Sequence, residues 1–249
     1  MILLYAGFIQ AQNSTQKAHP KLKCLQASQN IIIDGKPDEW VSNKSAVIAD
    51  NTFIGLFRDA GNIYFFLETR DPEFSMQIMN FGLTTWLSAL SSKDKALGIQ
   101  FPETSNQPPP PKEARPPSGD ELRKILAKRQ EYIIIEDQGG KAAKRMNMEE
   151  AGRSGIAARI RIDSGILYYE LRYPIVNIPE GPLAVELRKG KPFSLLVETP
   201  EVDMEKILKE MGEAEREKAQ KNKNGMQSHS KPKLPQLKRI SQWFEVSTD

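Results

Sequence analysis

The sequence predicts an all-β fold with minor α: a two-sheet antiparallel β-sandwich, jelly-roll or immunoglobulin-like, carrying two short helical insertions. The first observation behind this is alternation. Ile156, Ala158, Ile160 and Ile162 share one face against Arg159 and Arg161, and Leu167, Tyr169, Leu171 and Tyr173 share one against Tyr168, Glu170 and Arg172. A period of two fits strands with one buried side. The second is punctuation: the apolar runs are short and are divided by Asp50-Asn51, Asp59-Ala60-Gly61-Asn62 and Asp163-Ser164-Gly165, residues that favour tight turns. The third is bulk. With 249 residues, 39% hydrophobic and 27% charged, the chain can enclose one large packed core, which excludes wholesale disorder.

Taken in order, Met1 to Gln12 carry an apolar run, Ile2 to Ile9, that ends in small residues near Ala11. This matches the core and cleavage site of a signal peptide. The basic stretch that normally precedes such a core is missing, so the true start is expected upstream; the competing reading is a buried N-terminal strand. A single β-sandwich domain is expected over 24–249. After a polar lead, Ile31-Ile32-Ile33 enters a turn at Asp34-Gly35-Lys36-Pro37, where glycine and proline supply the special backbone angles. Ala46–Ala49, Thr52–Arg58 and Asn62–Thr69 read as strands, the last two as a hairpin, and Leu83–Ser88 with Leu97–Phe101 as another pair.

The first insertion is expected at about 103–130. Gln107 to Pro117 is proline-rich and cannot join a sheet ladder. It leads into Ser118-Gly119-Asp120-Glu121, a capping-box spacing, and a helix with Leu122, Ile125 and Leu126 on one stripe. Pro108 to Pro111 serves as a spacer or docks in an aromatic groove of a partner. The hairpin of Ile156–Ile162 and Leu167–Tyr173 follows, then strands Phe193–Glu198 and Ile240–Ser247. Between these last two, at 202–236, a second helix is expected from Val202, with Met204, Ile207, Leu208 and Met211 at helical spacing. Glu213 to Lys233 is almost entirely polar and is expected to be a mobile insertion, a solvated helix being the alternative.

Composition narrows the function. With 35 basic against 32 acidic residues the net charge is +3, no ground for nucleic-acid binding, which calls for a clustered basic face. No apolar run approaches the roughly 20 residues of a transmembrane helix. Cys24 is the single cysteine, so no internal disulfide or multi-cysteine zinc site can form, and it reads as incidental. His19 and His229 fall in segments expected to be loose, and neither a Gly-x-Ser-x-Gly elbow nor a phosphate-binding loop is present. A non-catalytic protein is expected, although paired carboxylates of the glycosidase kind meet only in three dimensions.

The most specific local pattern is Ile33-Asp34-Gly35-Lys36-Pro37-Asp38-Glu39-Trp40. It resembles the opening motif of family 9-like carbohydrate-binding modules, a β-sandwich group related to the DOMON domains. Asn62-Ile63-Tyr64-Phe65-Phe66 leading to Arg70-Asp71, then Gly82-Leu83-Thr84-Thr85-Trp86-Leu87, then Tyr168-Tyr169-Glu170-Leu171-Arg172-Tyr173-Pro174 fit the same family in the same order. The resemblance covers about Ile31 to Thr199. It implies sugar binding by aromatic platforms on a concave sheet face, often with a structural calcium, but no Asp-x-Asp cluster marks a calcium site here, and no cofactor is expected. A haem site of the DOMON kind would need axial His or Met on the sheet, and both histidines lie outside the strands.

Trp40 reads as a core plug. The candidate sugar contacts are Trp86, Trp243, Tyr168 and Arg172. Trp86 shares a face with Thr84 and Ser88, as a stacking platform or a ring covered by an insertion; Trp243 lies opposite Phe244 and Val246. Tyr168 and Arg172 share a polar row with Glu170, beside Arg159 and Arg161, able to hydrogen-bond hydroxyls or to form ordinary cross-strand ion pairs. The function expected is therefore an exported, extracytoplasmic carbohydrate-binding-like module with an oligosaccharide or glycan as partner. The alternative is a structural or protein-binding envelope component on the same fold.

Overall fold

Local chemistry sets the boundaries of most elements. In the computed structural model, which describes residues 19–89, 95–103, 119–137, 142–176, 183, 185, 187, 190–202, 209 and 237–248, twelve strands dominate. They are β1 (Lys21–Gln26), β2 (Ala46–Ala49), β3 (Thr52–Arg58), β4 (Asn62–Thr69), β5 (Leu83–Ser88), β6 (Leu97–Phe101), β7 (Tyr132–Asp137), β8 (Ala142–Asn147), β9 (Ala157–Asp163), β10 (Ile166–Pro174), β11 (Phe193–Glu198) and β12 (Ser241–Thr248). The β3–β4 turn is held by Asp59, whose Oδ1 accepts from the Gly61 and Asn62 amides, each at 2.7 Å. The β9–β10 turn places Ser164 and Gly165 at φ of 50° and 80°, the pair of left-handed residues that suits the twist of a hairpin.

Helices α1 (Pro72–Phe81), α2 (Gly119–Arg129) and α3 (Met148–Arg153) interrupt the strands. Asp71 caps α1 by accepting from the Glu73 and Phe74 amides, Pro72 occupies the first turn, and Gly82 at φ 78° ends the helix. These are the usual start and stop chemistries. Asn147 caps α3 in the same way, accepting from the Glu150 amide at 2.8 Å. α2 is the helix expected in the first insertion; α1 and α3 were not expected. The N-terminal apolar run, the proline tract, and the second insertion apart from Val202 and Lys209 lie outside the described residues.

The strands form one hydrogen-bonded sheet in the order β8-β7-β6-β5-β11-β12-β1-β3-β4-β10-β9, with β2 added on β3. It is folded over into two layers, the first made of β2, β3, β4, β9 and β10 and the second of β5, β6, β7, β8, β11 and β12, with β1 at the seam. Tyr169 of β10 packs edge-on against Phe101 of β6, ring centres 5.9 Å apart, and the Tyr173 hydroxyl of β10 donates to the Thr85 carbonyl of β5 at 2.6 Å. The space between is filled by Ile54, Leu56, Phe65, Leu67, Leu83, Ile99, Ile133, Leu171, Leu195 and Phe244, all buried. Antiparallel pairing holds except at the seam. β1 runs parallel to β12 through Lys21–Cys24 and parallel to β3 through Cys24–Gln26, so one strand passes from layer to layer. The fully antiparallel, two-sheet expectation is thereby refined: charged Lys21 and Lys23 alternate with buried Leu22 and Cys24, and the segment is a strand, not a lead.

Candidate functional site

On the outside of the first layer, the segment 31–45 wraps across β3, β4 and β10. Trp40 is fully buried there, stacked on Phe66 at 4.8 Å and 11° and tilted against Phe57 at 5.1 Å. Its indole Nε1 donates to Glu170 Oε1 at 2.8 Å, and the Gly35 amide donates to Glu170 Oε2 at 2.6 Å. Gly35 sits at φ +79°, and a Cβ there would lie 2.7 Å from the Arg161 Cβ, so glycine is required both by the turn and by the close approach. Two of the sequence motifs thus meet: the carboxylate of the Tyr168–Pro174 strand clamps the Asp34–Trp40 turn to the sheet. Burial raises the Glu170 carboxyl to about 7, the two donated hydrogen bonds oppose that rise, and the Asp34 and Glu39 charges add to it.

Tyr168 and Arg172 flank this clamp on the same outer face. Tyr168 is half-buried and stacked on Phe66, ring centres 6.3 Å apart; burial, then the neighbouring Glu68 charge, raises its hydroxyl pKa. Arg172 donates from Nε to the Gly155 carbonyl at 2.9 Å, tying β10 to the end of α3.

Trp86 and Trp243 lie on the opposite exterior, the outer face of the second layer. The sheet register sets Glu136, Gly98, Trp86, Leu196 and Trp243 side by side across β7, β6, β5, β11 and β12. The two tryptophans are therefore two strand spacings apart, roughly 10 Å. Trp86 is 1% exposed. Its ring lies flat on Gly98, where a Cβ would come within 2.7 Å of it. Its Nε1 donates to Glu198 Oε1 at 2.7 Å, and Lys95 Nζ approaches the same oxygen at 2.7 Å while sitting 4.9 Å above the ring. Burial and the Glu198 charge raise the Glu136 carboxyl, opposed by Lys95. Trp243 is half-buried.

Beyond Glu198 a cleft of about 450 Å³ opens, lined by Gln77, Glu198, Thr199, Lys238, Arg239 and Ser241 among others. It lies at the neck of the second insertion. The Gln77 side chain bridges both backbone groups of Lys238, donating to its carbonyl at 2.7 Å and accepting from its amide at 2.8 Å. Lys238 also pairs with Asp71, the α1 cap.

The structure thus brings Trp86 and Trp243 together, and Tyr168 and Arg172 together, but places the two pairs on opposite exteriors with the core between them. Glu198, Glu136 and Lys95 were not singled out from sequence. Their only signal there is the two-residue offset that puts them on the outward side of β11 and β7 and just ahead of β6. Among the described residues no group of three or more His, Cys, Asp or Glu is placed to hold a metal ion, and no helix is long and apolar enough to cross a membrane.

The fold and site define an all-β, two-layered domain with an aromatic and acidic corner on one exterior. No protein-family model matches the chain, and no curated protein matches it. Among solved structures, it is similar to a carbohydrate binding module of family 9 from Caldicellulosiruptor kristjanssonii in complex with glucose. That likeness covers 74% of this chain and 80% of that one, at 11% identity and a TM-score of 0.35.

Proposed function

We propose that the protein is a non-catalytic carbohydrate-binding module working outside the cytoplasm, and that its contact surface is the outer face of the second layer. The observation that carries this reading is the row Trp86–Leu196–Trp243 beside a polar cleft. Indole faces stack on sugar C–H groups while side-chain amides and hydroxyls meet the sugar hydroxyls. In this reading Trp243 is the open platform, Trp86 the floor of the corner, and Tyr168 and Arg172 serve the packing of the first layer. The export expectation draws on the apolar run Ile2 to Ile9.

Calorimetry of the intact protein against a panel of soluble oligosaccharides tests this. Trp243→Ala should weaken binding about tenfold or more, as loss of an aromatic anchor does, with little change in melting temperature. A panel without a binder at micromolar protein rejects the proposal. Release of reducing sugar would reject the non-catalytic part and direct attention to Glu136 and Glu198 as the carboxylates concerned.

A second reading, a structural or protein-binding envelope component, would draw on the burial of Trp86 and on exposed Val41 and Val47 on the wrap and β2 (75% and 64% exposed). Cross-linking in envelope extract that recovers no stoichiometric partner would count against it.

A further inference from the structure

We propose that the corner formed by Trp86, Glu198 and Glu136 is a receptor for an ammonium group, filled in the free protein by the chain's own Lys95, and that the saccharide it takes carries a free amine. This rests on the carbohydrate reading and names the class of sugar.

The corner already holds a cation. Lys95 Nζ is 2.7 Å from Glu198 Oε1 and 4.9 Å from the centre of the Trp86 ring. Glu136 completes it: the register sets Glu136 opposite Gly98 and Gly98 opposite Trp86, and with no side chain on Gly98 the Glu136 carboxylate feels both Glu198 and Lys95. An aromatic face rimmed by carboxylates is the arrangement that attracts ammonium groups. A neutral hydroxyl would leave the two like charges uncompensated.

Lys95 is also a replaceable tenant. Its side chain is 33% exposed and that of Glu198 19%, and partly exposed ion pairs contribute little to stability. A ligand amine that enters the same corner while its ring and hydroxyls contact Trp243 and the cleft adds interactions that Lys95 lacks. Displacing Lys95 frees the position 4.9 Å above the Trp86 ring for the ligand's amine.

The test is calorimetric titration of the whole protein and its Lys95→Met variant with glucosamine oligomers, N-acetylglucosamine oligomers, a neutral glucan of equal length and a lysine-rich peptide. The amine-bearing oligomer should bind in preference. If Lys95 fills the corner about nine-tenths of the time, its removal should tighten that binding about tenfold and leave the glucan unchanged. Equal binding of all three sugars, or no tightening in Lys95→Met, overturns the inference while the carbohydrate reading stands. No binding of any sugar removes both. Tightening seen only for a lysine-rich peptide overturns the inference by moving the receptor to a protein partner. Matching melting temperatures of the two proteins establish that the variant is folded.

Discussion

Replacing Glu170 by glutamine isolates the clamp that fastens the Asp34–Trp40 turn to β10. The carboxylate receives two buried donors, the Gly35 amide at 2.6 Å and the Trp40 indole at 2.8 Å, one on each oxygen. A glutamine keeps one acceptor and turns an NH₂ group towards the other donor. One buried N–H then lacks a partner, which costs about 1–3 kcal/mol. Against this, glutamine has no charge to withdraw from water, and pH separates the two effects. Glu170 titrates at about 7 in the folded protein and at 4.5 ordinarily, chiefly because it is buried. The folded state therefore holds this proton more tightly than the unfolded state. That contribution to stability is complete below about 4.5 and is lost as pH rises through 7.

Relative to Glu170→Gln, the native chain should lose about 3 kcal/mol between roughly pH 4.5 and pH 8. For a domain of this size that is roughly 6–12 °C in melting temperature. Thermal or urea unfolding of both proteins at a series of pH values measures the difference, in which every other titrating group cancels. Curves that stay parallel across the window would refute the claim that this carboxyl is held out of water.

Two further outcomes follow from named contacts. Gly98→Ala should push the Trp86 ring off β6, because the new methyl would lie within 2.7–2.8 Å of three ring atoms; unfolding should show a loss of about 1–3 kcal/mol together with red-shifted tryptophan emission, and an unchanged spectrum would contradict the geometry. Burial pushes the Cys24 thiol up to about 12 from its ordinary 9.0, so alkylation of the folded protein at neutral pH should be about a thousandfold slower than in denaturant; fast labelling without unfolding would place Cys24 at the surface.

Much of the sandwich was legible because its strands bury one face and the alternation survives in the residues. Hairpins such as β9–β10 carry their turn in Asp163-Ser164-Gly165, and expected bounds agree with β3, β4, β5, β6 and β11. α1 also had its signal, an Asp71-Pro72 start with Phe74, Ile78 and Phe81 at helical spacing, but the apolar residues at both flanks are strand-like. β7 is a continuous Ile133-Ile134-Ile135 run, where period two is blurred. The site was less legible because its partnerships are long-range. Nothing local to Glu198 announces the Trp86 indole, and nothing local to Glu170 announces Gly35 or Trp40. Residue type suggested four contacts; only register and layer decide which exterior each one faces.

The strand that crosses between the layers has a consequence for how the chain assembles in time. The β3–β4 and β9–β10 hairpins close over short loops, whereas β1 needs β12, a strand from far along the chain. Contacts between such distant segments form late because the loop between them must be closed first. During synthesis, then, β11 and the Lys21–Cys24 half of β1, both partners of β12, wait with an open edge, a template for pairing with another nascent copy. The ribosome must release the Ser241–Thr248 stretch before the seam can be zipped.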